Sequence, residues 1–201
     1  YGADTLRLYE MFMGPLEESK PWDDNGVAGA RKFLDRVYRI YQEKAILDSN
    51  DTELECIYHQ TVKKVTADYE TLNFNTAISQ MMIFINAVTK AKVFNREYAE
   101  GFIKLLNPIC PFITEELWQN LGHNNTIAYE EWPKFEEAKT QEKFVEIPVQ
   151  INGKVRARIK ITEETTETEI KDMVFNSVKS YVENGYKKFI YIPGKIVNII
   201  V

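Results

Sequence analysis

The sequence predicts an α+β chain, in which an antiparallel α-helical bundle precedes a small ββαββ domain, and three observations lead to this class. Apolar residues recur at helical spacing up to about Leu121. From Val145 onward they alternate with other residues, as half-buried strands require. Residues 1–143 carry 16 Lys and Arg against 23 Asp and Glu, whereas residues 144–201 carry 9 against 7. We therefore predict a bundle over 1–123, a linker over 124–143 and a small domain over 144–201.

The predicted bundle contains six helices, which apolar stripes and helix start and stop signals delimit. The first three run from Gly2 to Met13, from a cap at Asp24 or Asn25 onward, and from a Thr52/Glu55 capping box onward. The next three run from Asn75 to Phe94, from Asn95 to Leu106, and from Glu115 to Leu121 after a cap at Thr114.

Two predicted hairpins and one helix form the small domain. Its strands are Val145–Ile151, Val155–Ile161, Lys188–Ile192 and Ile196–Val201, and its helix begins at Thr166 with Glu169 three residues later. For the first hairpin we predict a three-residue loop, Ile151 to Gly153, because this register pairs Val149 with Val155 and keeps one face apolar.

The second predicted strand carries four basic residues in alternation with apolar ones. Because side chains of a strand alternate between faces, one face is predicted to hold a cationic row, which is suited to a nucleic-acid backbone: Lys154, Arg156, Arg158 and Lys160. A solvated sheet face is the alternative, but like charges in one row destabilise a sheet unless an external anion binds them.

Further basic residues extend this prediction with weaker support. Lys187, Lys188 and Lys195 add to the basic surface or discourage pairing at a sheet edge. The second helix carries a cluster that is explained by ordinary surface charge or by RNA contact: Arg31, Lys32, Arg36 and Arg39.

No catalytic or metal-binding constellation is predicted. Cys56 and His59 have the spacing of half a zinc site, but Cys110 and His123 do not complete a zinc motif, and burial accounts for Cys56, His59 and Cys110. Glu115 and Glu116 resemble a catalytic pair of carboxylates, but acidic residues in the first turn of a helix complement its dipole, and this is the preferred explanation. Two cysteines and the lack of any long apolar segment indicate a cytoplasmic protein without membrane contact.

Three stretches resemble class I aminoacyl-tRNA synthetases of the Leu, Ile, Val and Met group, and the resemblance covers essentially the whole chain. Tyr1-Gly-Ala-Asp-Thr-Leu-Arg7, Met13-Gly-Pro-Leu-Glu17 and Trp22 resemble the segment after the KMSKS loop. Leu105-Leu-Asn-Pro-Ile-Cys-Pro-Phe-Ile-Thr-Glu-Glu-Leu-Trp118 resembles the late motif of the anticodon-binding bundle, with Phe112 where relatives have His. Val149-Gln-Ile-Asn-Gly-Lys-Val-Arg156 and the segment from Lys187 to Ile200 resemble the C-terminal domain of bacterial-type leucyl-tRNA synthetases.

The resemblance implies a C-terminal piece of an enzyme that attaches leucine to tRNA(Leu). Residues 1–20 would then follow a catalytic domain that this sequence lacks and that would use ATP and Mg. The expected partners are tRNA(Leu), which this part would dock through its body and elbow, and the catalytic domain in the same polypeptide, and a monomer is expected. Two alternatives stay open: the equivalent part of a valyl or isoleucyl enzyme, and a protein-interaction module that binds an acidic partner.

Overall fold

A computed structural model describes residues 1–49, 52–141, 144–162, 165–182 and 185–201. The chain divides into two compact units, residues 1–141 and 142–201. The predicted α+β class is confirmed, since the first unit is helical apart from one short strand pair and the second contains a four-stranded sheet.

Six α-helices lie within the described residues of the first unit, as the sequence predicts. They are α1 (Ala3–Phe12), α2 (Asp24–Glu43), α3 (Glu55–Glu70), α4 (Phe74–Lys90), α5 (Arg96–Leu106) and α6 (Pro111–Asn120). Two short strands, β1 (Ile46–Leu47) and β2 (Phe94–Asn95), pair in parallel. The predicted apolar stripes meet in one core, where Val37, Val65, Met81 and Ile85 are fully buried.

Three predicted helix starts are wrong. Asp23, not Asp24 or Asn25, caps α2, and its carboxylate accepts from the amides of Asn25 and Gly26. Leu54 precedes α3 without a side-chain cap, so the Thr52/Glu55 capping box does not form.

The third wrong start is that of α6, which begins at Pro111. Proline lacks an amide hydrogen, which is tolerated in the first turn of a helix. Thr114 is therefore inside the helix, and its hydroxyl donates to the Cys110 carbonyl at 2.9 Å. Glu115 and Glu116 consequently lie outside the first turn, so the dipole explanation for them is also wrong.

The segment predicted as a linker, 124–143, is held against α3 over its described part, residues 124–141. Trp132 Nε1 donates to Thr66 Oγ1 at 2.8 Å, and Gln60 Nε2 donates to the Thr140 carbonyl at 2.8 Å. Lys63 pairs with Glu137 at 2.6 Å. These contacts place the segment in the first unit, and residues 142 and 143 lie outside the described part.

The second unit contains strands β3 (Phe144–Ile151), β4 (Lys154–Thr162), β5 (Lys188–Ile192) and β6 (Ile196–Ile200), with helices α7 (Glu167–Ser177) and α8 (Lys179–Val182). The sheet order is β4-β3-β6-β5, with β3 and β6 parallel and the outer pairs antiparallel. The predicted Thr166/Glu169 capping box opens α7. Ile170 and Val174 of α7 pack on one face of the sheet.

Candidate nucleic-acid interface

The β3–β4 hairpin turns over two residues, so the predicted three-residue loop is wrong. Ile151 lies opposite Lys154, and Asn152 and Gly153 between them have φ angles of 47° and 79°. Positive φ at both central residues is the geometry of a type I′ turn, which the Asn-Gly sequence favours.

A β-bulge two residues later restores the apolar face. Gln150 lies opposite Val155, but Val149 lies opposite Ala157, which leaves Arg156 without a partner on β3. Ile147 then faces Ile159, and both side chains are buried under the helical layer. Val155, which the predicted register placed in the core, is half exposed instead.

The bulge also separates the four basic residues that were predicted to form one row. Arg158 and Lys160 lie opposite Pro148 and Glu146, on the face of the sheet away from the helices. The Cζ atom of Arg156 instead lies 5.1 Å from the ring centroid of Tyr181 in α8. The prediction of a single row is therefore wrong, although all four side chains are exposed.

A carboxylate of the same unit lies among the outward-facing cations. Arg158 Nη1 is 3.5 Å from Glu146 Oε2, with both side chains about half exposed or more. Glu146 is also the cross-strand neighbour of Lys160. An exposed ion pair is worth only about 0–1 kcal/mol, so an incoming phosphate can compete with Glu146 for Arg158.

Strand directions determine where the remaining basic residues of this unit lie. Lys188 lies opposite Ile200, and the Lys187 amide donates to the Ile200 carbonyl at 2.7 Å. Because β6 runs parallel to β3, Lys187 and Lys188 lie at the same end of the sheet as the β3–β4 turn and Lys154, which follows that turn. Lys195, in the β5–β6 turn, lies at the opposite end.

Asparagine side chains join the hairpin turn to β6. The Gly153 amide donates to Asn198 Oδ1, and the Val201 amide donates to Asn152 Oδ1, each at 3.2 Å. These bonds fix the end of the sheet at which Lys154, Lys187 and Lys188 lie.

The four basic residues predicted on α2 also separate. Arg31 donates to Asp35 Oδ1 at 2.8 Å and to the Tyr1 carbonyl at 3.2 Å. Lys32, Arg36 and Arg39 lie on a neighbouring stripe, where Arg36 Nη1 donates to Asn86 Oδ1 of α4 at 2.7 Å.

Arg36 and Arg39 line a cleft of about 500 Å³ that also contains Lys44 and Lys92. Sequence reasoning missed Lys44 and Lys92. Lys44 directly follows α2 along the chain, but no local signal relates Lys92 to that helix.

The cysteine and histidine residues have structural partners. Cys56 Sγ donates to the Thr140 carbonyl at 3.4 Å, and His59 Nδ1 accepts from the Glu136 amide at 3.2 Å. Burial raises the pKa of the Cys110 thiol well above its ordinary value, and this disfavours the thiolate that metal ions bind. Within the described residues, no group of three His, Cys, Asp or Glu side chains is placed to hold a metal ion.

His123 stacks on Trp118 at 3.5 Å between ring centroids and lies 2.9 Å from Glu100. The paired carboxylates on α6 are also engaged. Glu116 accepts from the Tyr38 hydroxyl at 2.9 Å, and Glu115 accepts from the Ile127 amide at 3.3 Å.

Across the described ranges, none of the helices is both long and apolar enough to span a membrane.

Two comparisons with known proteins relate to this geometry. The family model described as the anticodon-binding domain of tRNA ligase matches residues 51–171. A structure of Agrobacterium radiobacter agnB2 LeuRS, a leucyl-tRNA synthetase solved as a ternary complex with tRNA and LeuAMS, is similar with a TM-score of 0.63 and 29% sequence identity. That similarity covers 100% of this chain and 29% of the LeuRS chain.

Proposed function

The chain belongs to the family of tRNA-ligase anticodon-binding domains, and we propose that it is the tRNA-binding C-terminal part of a leucyl-tRNA synthetase. The observation that carries the proposal is the extent of the similarity to LeuRS, which includes the small unit. The family model ends at residue 171, before β5 and β6, so the similarity over this last segment is what favours the leucine enzyme.

In this proposal, the parent enzyme is cytoplasmic and attaches leucine to tRNA(Leu) with ATP. The chain spans 29% of the LeuRS chain that it matches, and we assign leucine activation to a catalytic domain in the rest of the parent. The part described by the structure would dock the body and elbow of the tRNA.

The small unit supports this role by the placement of its cations. Arg158 and Lys160 face away from the helices, and Lys154, Lys187 and Lys188 lie at one end of the sheet. Paired RNA hides its base edges in a deep and narrow groove, so exposed cations of this kind contact backbone phosphates rather than read a sequence. Recognition would then depend on the shape of the tRNA and on its phosphates.

A titration of the full chain by fluorescence anisotropy tests the proposal. The ligands are a tRNA(Leu) transcript, an unrelated tRNA and heparin, each at 0.05–0.2 M salt, which is roughly the range over which phosphate contacts change affinity most informatively. We expect tRNA(Leu) to bind most tightly at every salt concentration. Equal binding of heparin, or no binding of either tRNA, would contradict the proposal.

A further inference from the structure

Most basic side chains of the first unit contact a carboxylate of the same unit. Among the residues that the structure describes, eight of them form ion pairs within 4.0 Å: Lys20, Arg31, Lys63, Lys64, Arg96, Lys104, Lys134 and Lys139. Arg7 instead donates to the carbonyls of Pro108 and Ile109. Such pairing is expected in a unit where acids outnumber bases.

The remaining basic side chains of the first unit form no ion pair among its described residues, and they lie on α2 and α4 or directly after them. On α2, Lys32, Arg36 and Arg39 occupy positions i, i+4 and i+7, which place them on one stripe. Lys44 follows as the residue after that helix, and Lys90 and Lys92 lie at the end of α4 and just beyond it. The bond from Arg36 to Asn86 joins the two helices at this point.

Four of these cations line the cleft of about 500 Å³ between α2 and α4: Arg36, Arg39, Lys44 and Lys92. Glu43 is the acidic residue among the residues that line the cleft. Glu53 also lies close to the cleft, where its carboxylate accepts a hydrogen bond from the backbone amide of Lys92 at 3.5 Å.

Helix ends account for only part of this cluster. Lys44 and Lys90 complement the negative ends of α2 and α4, as cations near a helix C-terminus commonly do. Arg36 and Arg39 lie a turn or more before the end of α2 at Glu43. The effect of a helix dipole falls off within the last turn, so it does not explain these two arginines. Four unit charges also exceed the charges of Glu43 and Glu53 plus about half a charge from each helix end, so the cleft stays positive.

We propose that this cleft is a second anion site, which binds the sugar-phosphate backbone of paired RNA. The inference rests on the proposed function and specifies which surface of the helical unit contacts the tRNA. Arg36 and Lys44 are eight residues apart, or about 12 Å along a helix axis, a length that faces roughly three phosphates of one strand. Arg39 supplies a planar guanidinium that binds a phosphate through two hydrogen bonds.

The lining favours a phosphate backbone over a protein partner. Protein interfaces depend on aromatic or aliphatic anchors that fill pockets at their centre. The apolar residues that line the cleft are Ile40, which is 7% exposed and belongs to the core, and Ala45. The surface that the cleft offers to a ligand is therefore mainly cationic.

The test compares two double variants of the full chain that remove the same charge. Arg39→Ala with Lys92→Ala removes two cleft cations, whereas Lys20→Ala with Lys134→Ala removes two exposed cations that pair with carboxylates elsewhere. Affinity for a tRNA(Leu) transcript is measured at several salt concentrations. Each phosphate contact contributes about 0.7–0.9 to the magnitude of the slope of log affinity against log salt concentration. We therefore expect the cleft variant to reduce that magnitude by about 1.4–1.8 and the affinity in 0.1 M salt by about 25- to 60-fold.

Equal slopes and affinities for the two double variants would overturn the inference. If the unchanged chain itself does not bind tRNA, the proposed function fails, and this result is distinct from failure of the cleft. Heparin is the third ligand. A cleft variant that weakens heparin binding but leaves tRNA binding unchanged would also overturn the inference, because the cleft would then bind polyanions without contacting the RNA. Circular dichroism melts confirm that both variants remain folded.

Discussion

The backbone amide of Ile113 donates a hydrogen bond to Asp4 Oδ2 at 2.7 Å, so a side chain of α1 caps the N-terminal end of α6. The Phe112 amide donates to the other carboxylate oxygen at 3.4 Å. Arg7, one turn later on α1, donates to the carbonyls of Ile109 and Pro108 at 2.7 and 2.9 Å. The start of the chain is thus joined to the α5–α6 turn by two oppositely charged side chains.

Asp4→Ala should destabilise the helical unit by about 1–2 kcal/mol, because α6 loses its cap and the amides of Phe112 and Ile113 lose their acceptor. Asp4→Asn keeps one acceptor oxygen and should cost less. Urea denaturation measures both changes. Glu10→Gln, at an exposed position of the same helix, is the control and should stay within about 0.5 kcal/mol of the unchanged chain. An Asp4→Ala variant as stable as this control would show that the cap contributes nothing.

The helices were largely predictable because their apolar spacing is local. Val37, Met81 and Ile85, which belong to apolar residues at helical spacing, are fully buried. The start of α6 was not predictable, because its cap is Asp4, about a hundred residues earlier in the chain. A proline there also reads as a stop signal, although in the first turn it is compatible with a helix.

The sequence predicts which basic residues belong to the candidate nucleic-acid interface, but it does not predict which of them lie on the same surface. A bulge at Arg156 leaves the alternation of the sequence unchanged while it reverses which face that residue occupies. In the helical unit, Arg31 and Arg36 look equivalent on one helix, yet Arg31 pairs with Asp35 and Arg36 contacts Asn86. The cleft depends on Lys92, which only tertiary packing brings to α2.

Two glycines with open space around them should respond in opposite ways to alanine. Gly153 has a φ of 79° and no atom within 4 Å of an added Cβ, so Gly153→Ala introduces backbone strain without a clash. We expect a loss of about 1 kcal/mol. Gly29 lies inside α2 with equal space, and Gly29→Ala should stabilise by about 0.5–1 kcal/mol. Thermal melts compare the pair, and a stabilising Gly153→Ala would contradict the type I′ turn.

His59 should make stability depend on pH. Burial lowers its pKa below the ordinary value of 6.5, and the nearby Lys139 lowers it further, against the opposing influence of Glu136, Glu55 and Glu97. The Nδ1 atom accepts from the Glu136 amide, which the protonated ring cannot do.

The pKa of His59 is lower in the folded chain than in the unfolded chain, so its contribution to stability is complete above about pH 6.5 and decreases as the pH falls below that value. Urea denaturation at pH 7.5 and 5.5 measures this change. In His59→Gln, stability should fall less between these two pH values than in the unchanged chain. Equal falls in both proteins would exclude His59 as the source.

Arg158→Ala with Lys160→Ala should weaken tRNA binding without unfolding the small unit, because both side chains are exposed on the face away from the helices. Removal of two phosphate contacts should lower the log–log salt slope by about 1.4–1.8. The matched control is Lys171→Ala with Lys179→Ala, which removes the same charge from exposed positions on α7 and α8 of the same unit. If the control weakens binding as much as the strand variant, net charge rather than the outer face of the sheet determines affinity. If neither variant changes the slope, Arg158 and Lys160 do not contact the tRNA.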